Sequence, residues 1–126
     1  MFKSNLWSSI YPSLIWFLII LLGSILPSSN VKEIEVSDKL IHFVFYAIFS
    51  FFLFFLSHNL TLGLDTLIKK WTFVFTIGTM VGLSIEFIQY TLIPSRSGEW
   101  IDVLANSIGL ITMLSSIYLL KRISVL

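Results

Sequence analysis

Asp38, His42 and Tyr46 recur every four residues, and Lys39 stands three before His42. On a helix the first three share one face, with the ammonium alongside. Carboxylate, imidazole and phenol at that spacing can exchange protons or hold a polar ligand by hydrogen bonds. Two further sets have the same character. Gly82, Glu86, Gln89 and Tyr90 share a second helical face, and Asp102, Asn106 and Gly109 a third. Arg96 falls between those two sets, and its planar guanidinium suits a phosphate or carboxylate. Gly78 and Gly82, also four apart, would let a neighbouring helix approach closely beside Glu86.

The elements that carry these residues follow from where charge is missing. No charge stands between Lys3 and Lys32, and none between Asp102 and Lys121. Between Lys39 and Asp65 only His42 and His58 interrupt the apolar run, and between Lys70 and Arg96 only Glu86 does. Each gap holds the roughly 20 apolar residues that cross about 30 Å of hydrocarbon. Four spans are therefore predicted, at 11–26, 38–57, 71–93 and 101–120. They make one all-α membrane domain over 1–126, a four-helix bundle. Pro12 suits a first helical turn, and Pro27 and Pro94 end their spans. No small-x-small cleavage site follows the first span, so it reads as a retained helix and not a signal peptide. The phenylalanines of span two, Phe43 to Phe55, read as packing and lipid-facing surface. Trp7, Trp71, Tyr90 and Trp100 fall near span ends, where aromatic rings favour the interface.

Composition agrees. Hydrophobic residues make up 56% of the chain and charged ones 12%, against about a quarter charged in a soluble domain. The absence of cysteine excludes disulfides, thiolate nucleophiles and cysteine-ligated metals. A net charge of +1, with no basic stretch interleaved with aromatics, gives no reason to invoke nucleic acid.

Orientation rests on lysine and arginine. Lys3, Lys69, Lys70, Lys121 and Arg122 lie on one side of the four spans; Lys32, Lys39 and Arg96 lie on the other. The larger set marks the cytoplasmic side, so both termini are predicted inside and the three polar faces in the outer half of the bilayer. The sequon Asn59-Leu60-Thr61 then falls inside, as a chance match. Three polar stripes at one depth imply one shared cluster, since burying each alone in lipid would cost several kcal/mol.

Asp38-Lys39-x-x-His42-Phe43-x-x-Tyr46, Glu86-x-x-Gln89, Arg96 and Asp102-x-x-x-Asn106-x-x-Gly109, in this order and spacing, resemble the VanZ-like membrane protein family. The match runs from about Val36 to Gly109; the first span and the middle loop carry no part of it. The resemblance implies a bacterial cytoplasmic membrane and a link to teicoplanin-type glycopeptide antibiotics, and no particular reaction.

Each residue has a plain reading beside the functional one. Glu86 either locks helices by pairing with Arg96 or Lys39, or serves function, as intramembrane carboxylates do by default. His42 packs and hydrogen-bonds, or acts as base. Asp102 at a helix start is favoured by the helix dipole whatever else it does. Asn106 reads as interhelical glue, Gln89 and Tyr46 as supporting residues, Gly109 as helix packing. Three function classes follow. The cluster of Asp38, Lys39, His42, Tyr46, Glu86, Gln89, Arg96, Asp102 and Asn106 binds or protects an anionic envelope component, such as a lipid-linked cell-wall precursor, or engages a glycopeptide. Alternatively His42, Glu86 and Asp102 catalyse a reaction on a lipid-linked phosphate. The third class is a small proton-coupled exporter; small multidrug transporters carry their key glutamate in the first span, which here has no charge. A metal held by Asp38, His42, Glu86 and Asp102 is a minor alternative that no known ligand spacing supports, so neither metal nor cofactor is assigned.

Overall fold

In hydrocarbon a backbone must satisfy its own hydrogen bonds, so long apolar runs fold as helices. The structure, a computed structural model, describes residues 5–26, 35–93 and 99–124, with side chains for all of these except 35–37. It consists of α1 (Leu6–Ile25), α2 (Glu35–Asn59), α3 (Leu67–Leu92) and α4 (Trp100–Ser124). All four are long and apolar enough to cross a membrane, and there is no strand among the described residues. The protein is an all-helical, multi-pass membrane protein.

The helices outrun the predicted spans. α1 starts at Leu6, so Pro12 lies inside the helix and not in its first turn. Proline takes away one backbone donor there. The nearby serines supply hydroxyl donors: Ser13 Oγ lies 3.0 Å from the Ser9 carbonyl and 3.2 Å from the Phe52 carbonyl of α2. α3 starts at Leu67, ahead of Trp71, because Thr66 caps it by accepting from the Lys69 N–H at 3.3 Å. The turn before it passes through Gly63 at φ 67°, a conformation that glycine adopts without strain. Beside it, the Lys69 ammonium, 2.6 Å from Asp65, holds that exposed carboxyl below the usual carboxylate range. α4 carries Lys121 and Arg122 in its last turn, where the helix dipole favours cations. Lys3, Pro27, Lys32, Pro94 and Arg96 lie outside the described residues.

Lipid tails are as apolar as leucine, so close packing and polar contacts hold the bundle together. α2 touches all three other helices and meets α4 most extensively, while α1 and α4 do not touch. The phenylalanines of α2 divide accordingly: Phe49 and Phe54 are buried, Phe51 and Phe55 face outward. Trp16 of α1 donates its indole N–H to the Phe45 carbonyl at 2.9 Å. Glycines set the closest approaches. Leu110 of α4 packs over Gly78, and the Asn106 amide nitrogen lies 3.0 Å from where a Gly82 Cβ would stand. The small-residue pair on α3 therefore does admit a neighbouring helix, and that helix is α4.

α1 and α3 end, and α2 and α4 begin, at one end of the bundle, where Lys39 meets Asp102 and Gln89 meets Ser24. At the opposite end Asn59 bonds Ser9 at 3.2 Å and His58 meets Lys121 at 3.3 Å. That second end has its own smaller polar set, including Lys121 over the Phe54 ring at 4.9 Å. The described ends of the chain both lie there, away from the three polar stripes.

Candidate functional site

Asp102 sits in the first turn of α4, where its backbone N–H bonds the Glu99 carbonyl at 3.0 Å. It is 4% exposed, and its two oxygens do different things. Oδ1 accepts from Lys39 Nζ at 3.2 Å; Oδ2 faces His42 Nε2 at 3.9 Å. Lys39 also reaches Glu99 Oε2 at 3.0 Å. One ammonium thus ties the start of α2 to two carboxylates at the start of α4.

Behind this pair stands the His42–Asn106 contact, Nδ1 to Oδ1 at 3.0 Å, with both residues buried. An amide oxygen can only accept, so Nδ1 carries the hydrogen and, in a neutral ring, Nε2 keeps its lone pair. Asn106 therefore fixes both the tilt of the ring and which nitrogen faces Asp102.

One turn deeper the stripes of α2 and α4 converge on Gly82 of α3. A Cβ there would stand 3.5 Å from the Tyr46 hydroxyl and 3.0 Å from the Asn106 amide nitrogen. The missing side chain makes room for these two polar tips. Tyr46 is 2% exposed and its hydroxyl has no hydrogen-bond partner among the described residues.

Glu86, one turn along from Gly82, is buried and accepts the Glu99 N–H on Oε2 at 3.2 Å. Its Oε1 is buried without a partner among the described residues. Asp102, His42 and Asp38 all interact with it electrostatically. Glu86 is not paired with Lys39, whose ammonium is held by Glu99 and Asp102 instead. Arg96, the other expected partner, lies outside the described residues.

The polar face of α3 divides beyond Glu86. Gln89 turns toward α1 and donates to the Ser24 carbonyl at 3.0 Å. Tyr90 is not on the buried face at all; it is 77% exposed. Together with Leu83, Glu86, Phe87, Glu99, Trp100 and Val103 it lines a cleft of about 490 Å³ between α3 and α4. Phe87, Tyr90 and Trp100 are exposed there, so its walls are open to the bilayer side. Glu86 belongs to both the cleft and the polar cluster.

Two contributors escape a reading of the sequence. Glu99 precedes α4 and follows no helical stripe, and its only signal is an acid three residues before Asp102. Ser24 contributes a backbone carbonyl, which no side-chain pattern announces. The structure also brings one ligand atom each from Asp38, His42 and Asp102 within 4.8 Å of one another. That grouping spans α2 and α4, so linear spacing conceals it.

The model of the VanZ/LLP1 family matches residues 3–121, a stretch that takes in every residue of the cluster. No curated protein and no solved structure matches the chain. With nearly the whole length covered and the chain folded into four apolar helices, this membrane protein belongs to the VanZ/LLP1 family.

Proposed function

We propose that the protein lies in a bacterial cytoplasmic membrane with both termini inside. Its polar cluster then faces outward, binds an anionic, lipid-linked cell-envelope component, and lowers susceptibility to teicoplanin-type glycopeptides. The observation that carries this reading is the double membership of Glu86. A ligand with its head at the cluster and its chain in the cleft would meet both at that residue. Lys39 and Arg96 are the cations assigned to the head, with Arg96 offering a bidentate fork. Tyr90 and Trp100 flank the cleft at the depth where aromatic rings favour the interface. The family name fits a role in resistance.

A second reading is supported by His42. A ring oriented by Asn106, with Nε2 free and a carboxylate opposite, has the arrangement of a general base. On that reading the protein is an enzyme that acts on a lipid-linked phosphate, with Asp102 and Glu86 as partners of His42.

Whole cells expressing the protein or its His42→Gln variant, assayed for glycopeptide susceptibility and for lipid-phosphate turnover in membranes, test the two together. Protection without turnover supports binding. Turnover that disappears with His42→Gln supports catalysis. Cells with unchanged susceptibility and no turnover would sink both.

A further inference from the structure

The described cluster is acidic. Asp38, Glu86, Glu99 and Asp102 face Lys39 and His42, and Lys39 is already held by two of the four. Carboxylates gathered at low dielectric repel one another strongly, so positive charge placed among them stabilises the arrangement.

The His42–Asp102 gap shows where that charge belongs. At 3.9 Å it is too long for a hydrogen bond. Asn106 Oδ1 takes the hydrogen of Nδ1, so in a neutral ring Nε2 is an acceptor, with a carboxylate oxygen opposite it. Two acceptors that face each other across such a gap are held together by a cation between them. Bonds of about 2.1 Å from nitrogen and oxygen to a first-row divalent ion bridge up to about 4.2 Å. Asp38, one turn before His42, brings a carboxylate oxygen within 4.8 Å of both. Asp102 can serve an ion on Oδ2 while keeping Lys39 on Oδ1.

Two further features point the same way. Among the described residues Glu86 Oε1 is buried without a partner, on a side chain that interacts with all three. The Asn106 contact is the outer-shell bond that ligating histidines make through their other nitrogen.

We propose that Asp38, His42 and Asp102 form a divalent-cation site, with Glu86 as the carboxylate beside it and Asn106 orienting the imidazole. One nitrogen and two oxygen donors favour zinc, manganese or cobalt over magnesium or calcium, which prefer all-oxygen shells. An ion there turns an acidic pocket into one that accepts a phosphate or carboxylate. The site thus deepens the anion-binding reading, although its test needs no anion.

The test uses the full chain purified in detergent after chelation. Co²⁺, Zn²⁺ and Mg²⁺ are titrated by calorimetry, and Co²⁺ also by visible absorption, which reports nitrogen ligation directly. The expected result is one equivalent of Co²⁺ and Zn²⁺, a ligand-field band, and binding to Mg²⁺ at least tenfold weaker. His42→Gln and Asp102→Asn should each weaken Zn²⁺ binding tenfold or more while the helical circular dichroism persists. If either variant does not fold, the wild-type cobalt band decides alone. A wild type that binds neither ion, or binds without a nitrogen-ligated band, overturns the site and points to a protonated His42 instead. Undiminished affinity in the folded variants does the same. Failure here leaves the anion-binding reading to its own cell assay.

Discussion

Gly109 on α4 lies against Phe43 on α2 so closely that a side-chain carbon on the glycine would collide with the phenylalanine carbonyl oxygen. The next contact, to the Ala47 nitrogen, would be 3.1 Å. Both neighbours are backbone, which cannot swing aside. The register set here aligns His42 with Asn106, and Lys39 with Asp102, one and two turns nearer the surface.

Gly109→Ala should therefore separate α2 from α4, at a cost of about 1–3 kcal/mol typical of overpacking. Gly78→Ala should cost less, because the atoms it meets at 2.6 and 2.8 Å are the tips of Leu110. Gly23→Ala should be nearly neutral, since its nearest atom, on Phe45, is 3.5 Å away. Thermal unfolding in detergent checks the ranking; equal melting temperatures for the three would contradict it.

Lys39 is the counter-charge for a carboxylate that is nearly inaccessible, with side-chain exposures of 28% for Lys39 and 6% for Asp102. Lys39→Met leaves Asp102 without its ammonium and should destabilise the protein by about 1–3 kcal/mol, the scale of an unsatisfied buried group. Adding Asp102→Asn should recover part of that loss, because the orphaned charge goes with it. A double-mutant cycle reads the coupling. Strictly additive losses would show that the pair contributes nothing.

The sequence made much of this legible. Four charge-poor gaps located the four helices, and a repeat of four residues put Asp38, His42 and Tyr46 on one side of α2. Both signals are local, and lipid enforces them because a charge or an unpaired backbone group has no other solvent there. The unread features depend on how two helices meet. Glu99 matters through its register with Lys39, 60 residues away. Gln89 and Tyr90 are neighbours in sequence, yet one is buried against α1 and the other faces the cleft. Pro12 read as a helix start because nothing in the sequence showed that the helix would begin at Leu6.

Orientation rests on the lysine and arginine count, and an even number of spans puts both termini on one side. Reporter fusions after Leu126 and after Gly63 should be active only in the cytoplasm. A fusion between α3 and α4, after Ser95, should be active only outside. The opposite pattern would move the cluster to the inner face and remove its access to the cell envelope.

Glu86→Gln keeps an oxygen to accept the Glu99 N–H and removes the carboxylate. The variant should accumulate normally in the membrane and lose protection against the glycopeptide, by immunoblot and susceptibility assay on the same cells. Full protection would make the charge dispensable. Failure to accumulate would make Glu86 a structural tie between α3 and the start of α4.

Arg96→Lys should keep part of the protection, since charge survives without the bidentate fork, and Arg96→Ala should lose nearly all of it. An alanine variant as protective as the wild type would remove Arg96 from the site.

The central claim is that one cluster at one end of the bundle takes an anionic head while the adjoining cleft takes its chain. It is tested most directly by titrating the purified protein in nanodiscs with a long-chain lipid monophosphate, the matching lipid alcohol, and inorganic phosphate. Quenching of Trp100 fluorescence at the cleft provides the readout, in a variant with its other tryptophans replaced by phenylalanine. The account predicts saturable binding of the lipid monophosphate, at least tenfold tighter than either other ligand and weakened tenfold or more by Arg96→Ala. Equal responses to the lipid phosphate and the lipid alcohol, unaffected by that substitution, would contradict it.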